Sequence, residues 1–161
     1  LVCAPHGRIE NEKTIGFSFI GSLTHPIRNE LMNSSIQHES KMRSYMMYNR
    51  HHDIDLYCEV MSKSTFSICP RGFGFSSFRI CESLEQGAIP VYISDEFIFP
   101  EGQKAFEEYG VVIHRDEIQN IKSILESLTP EQIKYKQDAG RIAYQELYTF
   151  DGLRKWILNN I

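Results

Sequence analysis

No stretch of this chain is apolar for anything near the roughly 20 residues a helix needs to cross a bilayer. The N-terminus also lacks the basic, then apolar, then small-residue succession of a signal peptide. The chain opens at Leu1 rather than Met, so it is read as a processed product or as a piece of something longer, with any targeting segment outside it. Positive charge is not in excess: 17 Lys and Arg stand against 21 Asp and Glu, a net −4. That argues against a general nucleic-acid binder, which needs a basic face, while leaving room for a local basic pocket. Cysteine is scarce. Cys3, Cys58, Cys69 and Cys81 fit neither a zinc site nor a C-x-x-C redox motif. The last three sit in apolar runs and are expected to be buried free thiols, which leaves the compartment open. Repeats, low-complexity tracts and linkers are absent as well.

What is present is a chain of 161 residues, 42% hydrophobic and 24% charged. These are the proportions of one soluble globular domain, spanning 1–161, with enough length to bury a core. Its most informative stretch is CPRGFGFSSFRICESLEQGAIPVYISD, from Cys69 to Asp95. An apolar strand carrying Phe66 and Ile68 ends at Pro70-Arg71, a loop carries Gly72 and Gly74, and Ser76 and Ser77 open a helix that stops at Gly87. A second apolar strand runs from Ile89 to Ile93. Strand, glycine loop, helix and parallel strand form a phosphate-binding crossover, in which main-chain N–H groups approach an anion and the helix N-terminus adds a favourable dipole. Arg71 and Arg79 flank that point with guanidinium groups that fork onto phosphate oxygens. The pattern is that of a site for a nucleotide diphosphate.

The remaining elements alternate. Residues 1–14 are a polar lead-in, and Ile15–Ile20 is a strand ended by Gly21-Ser22. Pro26 begins a helix carrying Arg28, Leu31 and Met32. Arg43–Tyr48 is a strand, Asp53 and Asp55 open a helix through Met61, and Val111–Ile113 is the last strand. Ile118, Ile121, Leu125 and Leu128 recur at helical spacing. Thr129-Pro130-Glu131 starts a helix bearing Ile133, Ile142, Tyr144 and Leu147, and Leu153 to Leu158 form a terminal one after Gly152. Alternating strands and helices predict a parallel sheet of about five strands covered on both faces, Rossmann-like and ordered 3-2-1-4-5, with a helical C-terminus. Ligands of such sheets lie beyond the carboxyl ends of the strands. Arg71, Gly72 and Gly74 fall there, as do Gly21-Ser22 and Asp95.

Arg79 and Glu82, three apart, share one helical face. That places a carboxylate about one turn from a bound diphosphate, within reach of a ribose, although a plain surface Arg–Glu pair has the same spacing. Glu85 is expected to face solvent. Asp53-Ile54-Asp55 beside His51-His52 resembles a metal-binding D-x-D, but acidic residues are common at a helix start. His114 is expected to face solvent. Of the aromatic residues Tyr45, Tyr48, Phe73 and Phe75, Phe73 is the candidate for stacking on a base or sugar, its alternative being an anchor of the loop to the core.

The block from Ser64 to Pro100 resembles the signature of the exostosin-type glycosyltransferase family. Pro70, Arg71, Gly72, Ser77, Phe78, Arg79, Glu82, Ile89, Pro90, Val91, Ser94, Asp95 and Pro100 match it in order. The likeness reaches upstream to Ile20-Gly21 and Ile27-Arg28-Asn29-Glu30-Leu31 and downstream to the Glu117–Leu128 helix, covering about residues 15 to 130. The resemblance implies the C-terminal, nucleotide-sugar-binding half of a two-domain GT-B enzyme. Its donor would be a UDP-sugar, its acceptor a glycan or polysaccharide held mostly by an N-terminal half, its outcome inversion, with no metal or other cofactor. By position, Arg71, Gly72, Ser77 and Arg79 would hold the diphosphate, Glu82 the ribose, and Arg28 a second phosphate or donor contact. The resemblance places a eukaryotic member in the Golgi membrane or lumen and a microbial or viral one in the cytoplasm. Glu101-Gly102 follow Pro100 where the family has Phe and Trp, and no residue is assigned as catalytic base. A non-catalytic nucleotide-sugar-binding module stays open. So does an NAD-type dinucleotide site, since Gly72, Gly74 and Ser77 mimic G-x-G-x-x-G and Asp95 ends the next strand.

Overall fold

The computed structural model describes residues 6–34, 54–99 and 101–159, and the backbone of 44–48. Five strands form one parallel sheet: β1 Ile15–Gly21, β2 Ser44–Tyr48, β3 Ser64–Pro70, β4 Ile89–Ser94 and β5 Val111–His114. Their order is β2-β1-β3-β4-β5, and all four pairings are parallel. The expected order 3-2-1-4-5 is thus replaced by 2-1-3-4-5. Both orders are doubly wound, and apolar strands of similar length carry little that chooses between them. The observed order puts the reversal of winding between β1 and β3, and a ligand crevice belongs at such a switch point.

The helices are α1 Pro26–Asn33, α2 Ile54–Ser62, α3 Arg79–Glu85, α4 Gln103–Tyr109, α5 Ile121–Glu126, α6 Pro130–Ala143 and α7 Phe150–Asn159. A 3-10 turn, Arg115–Asn120, leads into α5, and a π turn, Tyr144–Tyr148, joins α6 to α7. Local chemistry sets several of these boundaries. Pro26 takes the first turn of α1, and the His25 side chain accepts from the Ile27 N–H ahead of it. Thr129 and Gln132 bond reciprocally in a capping box at the start of α6. The sequence pattern did not expose α4, because QKAFEEY buries only Phe106 and Tyr109 and is too short for a clear period.

Successive side chains of a strand point to opposite faces, and the core divides accordingly. Phe17, Phe19, Phe66, Ile68, Ile89, Val91 and Ile93 pack against Ile27 and Leu31 of α1 and Ile121 and Leu125 of α5. On the other face Cys69 and Tyr92 meet Ile80 and Leu84 of α3, Phe106 and Tyr109 of α4, and Ala143. Burial on both faces is why the strands read as unbroken apolar runs. Among the described residues no helix is long and apolar enough to cross a membrane.

Two polar expectations are corrected. Cys58 and Cys69 are buried free thiols, but Cys81 is disulfide-bonded, a proximity that spacing along the chain does not show. Glu85 does not face solvent. It is 4% exposed, and its carboxylate accepts the N–H groups of His6 and Gly7, each at 3.1 Å. The lead-in segment is therefore strapped across the last turn of α3, and Gln86 adds bonds to Gly7 O and from Ile9 N. Cys3, Arg43, His51, His52, Asp53 and Pro100 lie outside the described residues.

Glu85→Ala strips two main-chain N–H groups of their acceptor. It should lower stability by about 2–3 kcal/mol, as read by chemical denaturation. A loss below about 0.5 kcal/mol, the scale of an ordinary surface change, would show that the strap does not depend on this carboxylate.

Candidate functional site

The carboxyl ends of β1 and β3, with the loops that leave them, open onto a cavity of about 820 Å³. Gly21, Ser22 and Thr24 form one wall, Gly72 to Phe78 the opposite wall, and Arg79 and Glu82 of α3 the floor. Each sequence-predicted site residue has a definite place relative to it.

Arg28, on α1, is 7% exposed. Its Nε donates to Arg71 O at 2.9 Å, Nη1 to Ser22 O at 3.0 Å and Nη2 to Pro70 O at 3.3 Å. The guanidinium thus ties the loop after β1 to the end of β3 and the loop that leaves it. Burial, reinforced by the nearby Arg79 charge, pushes the Arg28 guanidinium down to about 10, so it remains charged at neutral pH. Arg79 donates through Nε at 3.2 Å and Nη2 at 2.7 Å to Ile20 O, with its guanidinium 5.0 Å over the Phe19 ring. Its Nη1 makes no hydrogen bond to the described residues. Neither arginine forms an ion pair among the described residues, and the expected surface alternative, an Arg79–Glu82 pair, does not form.

Arg71 behaves differently. Its Nη1 bonds the Asp95 carboxylate, and its guanidinium lies 4.2 Å over the Phe75 ring. Its side chain braces the glycine loop from behind, off the cavity lining. The hydrogen bond from Arg71 holds the Asp95 carboxyl below the usual carboxylate range, and Asp95 too lies off the lining. The structure therefore gathers Arg28, Gly72, Gly74, Ser76, Ser77, Arg79 and Glu82 around one space and sets Arg71 and Asp95 behind it.

The loop itself is poor in internal bonds. Among the described residues, the N–H groups of Gly72 through Ser76 donate to no main-chain carbonyl. The helix expected to open at Ser76 starts at Arg79, with Phe78 as an N-cap that offers no side-chain bond. Ser77 consequently does not cap. Its hydroxyl is buried, has no partner among the described residues and lies on the cavity wall, which is unusual for a buried polar atom. Tyr92 fixes the far end of the loop, its O–H donating to Phe75 O at 2.5 Å. Phe75 thus serves as the anchor, while the Phe73 side chain is exposed at the mouth, the residue being 87% exposed.

Glu82 is bonded on one side and approached on the other. The Tyr57 O–H donates to its Oε2 at 2.6 Å, and His6 Nε2 stands 3.8 Å from its Oε1. Burial pushes the Tyr57 phenol well above its ordinary range, so it acts as a donor at neutral pH. Sequence reasoning missed both residues. Tyr57 lies within an apolar helix and His6 in a polar lead-in, and neither carries a local signal of its place. His114 is half-exposed, caps the 3-10 turn, and does not line the cavity.

This parallel, doubly wound α/β fold has a GT-B-like neighbour among solved structures, that of TarM. It superposes with a TM-score of 0.61 at 9% identity, over 97% of this chain and 37% of TarM. Sequence comparison narrows the class further: the chain belongs to the exostosin GT47 domain family, a family of glycosyltransferases, which matches residues 2–128. A probable glycosyltransferase of Arabidopsis thaliana is 30% identical over 115 residues, 71% of this chain and 22% of its own length. The Exostosin-1 homolog of Caenorhabditis elegans is 27% identical over 158 residues, 85% of this chain and 41% of its own. A probable glucuronosyltransferase of Oryza sativa subsp. japonica is 35% identical over 82 residues, half of this chain and 20% of its own length. The chain thus spans between about a fifth and two fifths of the curated relatives it matches.

Two glycines separate packing from binding. A Cβ at Gly21 would lie 2.1 Å from Arg79 Nη2, the mobile end of a side chain, so Gly21→Ala should keep the fold while driving Arg79 off Ile20 O. The expected loss is about 1.5–3 kcal/mol, the scale of hydrogen bonding by a charged group, here two bonds to one carbonyl. A Cβ at Gly74 meets nothing within 4 Å, and Gly74→Ala should leave the melting temperature of the unliganded protein unchanged. Thermal melts of the two variants check both; an equal loss at Gly74 would mean that its role is in packing.

Proposed function

We propose that the cavity holds the diphosphate of a nucleotide sugar, a UDP-sugar, and that the chain is the donor-binding half of an inverting glycosyltransferase acting on a glycan or polysaccharide. One observation carries this reading: Arg28 and Arg79 line the same cavity, and neither has a carboxylate partner among the described residues. Two such guanidiniums repel each other, and a dianion between them relieves that repulsion. The unbonded N–H groups of the glycine loop and the free Ser77 hydroxyl add donors where the anion would sit.

Transfer breaks the bond between the anomeric carbon and the diphosphate. Negative charge grows on the leaving group, and donors already fixed in place stabilise it without reorganising. Arg79 offers Nη1, while its Nε and Nη2 are held on Ile20 O. Arg28 has committed each nitrogen to a carbonyl, so its part is to fix the two loops and supply positive charge. Arg71 acts through the loop that it braces rather than as the phosphate contact its sequence position implies. This charge serves the leaving group in the way a metal ion would, so donor binding is expected to need no metal. Glu82 anchors the ribose, which spends binding energy from a non-reacting part of the donor on placing the anomeric carbon. The acceptor and its general base belong to an N-terminal half of a longer protein in this scheme.

The span of the chain relative to its relatives keeps a second reading in view, a nucleotide-sugar-binding module without transfer activity; sugar transfer by the full-length protein separates the two. The dinucleotide reading needs Asp95 free for a ribose, but Asp95 is bound to Arg71.

UDP should raise the melting temperature more than NAD does, with no divalent metal present. At 100 times its Kd the added stability is about 2.7 kcal/mol. Stabilisation by NAD, with none by UDP or GDP, would overturn the reading. Arg79→Ala should weaken UDP far more than uridine, because its partner is phosphate, and Arg79→Lys should restore only part, since the fork is lost. Equal losses for uridine and UDP would assign Arg79 to the fold alone.

A further inference from the structure

Glu82 and Glu85 of α3 and its C-cap Gln86 are spaced three and four apart from Glu82 and therefore share one face. Glu85 and Gln86 fix the strap that precedes β1: His6 N and Gly7 N each donate to the Glu85 carboxylate, Gln86 Nε2 donates to Gly7 O at 2.8 Å, and Ile9 N donates to Gln86 Oε1 at 3.0 Å. Gly7 has a φ of +85°, a left-handed conformation that favours glycine, with open space around its Cα. The strap is thus turned and pinned at the residue that follows His6. The His6 imidazole lines the cavity and is directed at Glu82.

The spacing between those two side chains has a chemical meaning. His6 Nε2 and Glu82 Oε1 are 3.8 Å apart, too far for a direct hydrogen bond. A hydroxyl oxygen on the cavity side of that line, about 2 Å off it, would stand about 2.8 Å from each, ordinary hydrogen-bond length. Such a hydroxyl donates to the carboxylate and accepts from the imidazole N–H, using both sides of its inventory. The other carboxylate oxygen is held by Tyr57, whose own ring lies beneath the Arg79 guanidinium at 5.9 Å. Both side chains of the His6–Glu82 pair are largely shielded from water, at 26% and 19% exposure.

We propose that His6, Glu82 and Tyr57 form a clamp for the ribose diol of the donor nucleotide: His6 and Glu82 Oε1 share one hydroxyl, and Tyr57 is a positioning residue that sets the Glu82 carboxylate. The donor site is then built from both sides of the sheet's first strand, with the segment before β1 supplying a ligand contact. This rests on the nucleotide-sugar reading of the cavity, adds to it a contact from outside the glycine-loop block, and has its own test.

Calorimetric titration of UDP, 2′-deoxy-UDP and 3′-deoxy-UDP against the native protein, His6→Ala, His6→Gln and Tyr57→Phe separates the possibilities. The native protein should prefer UDP to at least one deoxy form. His6→Ala should lose about tenfold on UDP, the worth of one hydrogen bond, and little on that deoxy form. His6→Gln keeps an N–H donor and should recover part of the preference, and Tyr57→Phe should reduce it. His6→Ala combined with Glu82→Gln should lose less than the two single changes together, since they share one hydroxyl. If UDP binds and the preference is absent in the native protein, or persists undiminished in His6→Ala, the clamp is wrong and the donor site stands. If His6→Ala fails to fold, an undiminished preference in both His6→Gln and Tyr57→Phe overturns the clamp in its place. If the native protein binds no nucleotide diphosphate, the donor reading itself falls.

Discussion

Arg28 and Arg79 reach across the crevice between β1 and β3 and bond main-chain carbonyls at Ser22, Pro70, Arg71 and Ile20. Parallel strands end with carbonyls that no further ladder satisfies, and unsatisfied carbonyls in a partly buried crevice cost free energy. The two guanidiniums supply those bonds from side chains. Because they do so with positive charge and without carboxylate partners, the device that closes the strand ends also makes the crevice attractive to an anion. Fold and site share these two residues, and neither can be removed for one purpose without affecting the other.

Electrostatics divides the basic residues into two roles that sequence position does not separate. Arg71 and Arg79 stand symmetrically about the glycine loop, and both read as phosphate ligands. In the fold, Arg71 emerges at the end of β3 pointing toward β4, where Asp95 meets it and the Phe75 ring lies under it. Arg79 starts α3 and points toward β1, where the Ile20 carbonyl and the Phe19 ring meet it and no carboxylate among the described residues does. One arginine is neutralised locally and stiffens the loop. The other keeps its charge for the cavity.

The sheet, the crossover and the glycine loop were legible because they rest on local signals: apolar strands ended by Gly or Pro, helix starts at Pro26 and Thr129, and the ordered block from Pro70 to Asp95. The less legible parts depend on distance in sequence. Strand order was misread because Ile15 and Ser64 meet across long connections. Glu85 read as a solvent residue because its partners, the N–H groups of His6 and Gly7, lie far up the chain. Glu82 lines the cavity with Arg79, as their spacing on one helical face suggests, while Tyr57 and His6, which flank it, left no trace in any local pattern.

The register of the sheet has a kinetic consequence. The partners of β3 and β4, such as Phe66 and Ile89, stand far closer along the chain than those of β1 and β3, such as Ile15 and Ser64. Loop-closure entropy grows with that separation and must be met before a non-local pair contributes. The β3–α3–β4 unit is therefore expected to assemble first, with β1 docking on it afterwards. Mutational φ values higher for Ile68 and Val91 than for Phe17 would register that order, and the reverse would refute it. On this route the glycine loop exists before the arginine of α1 arrives to close it, so the crevice is the last part of the sheet to take shape.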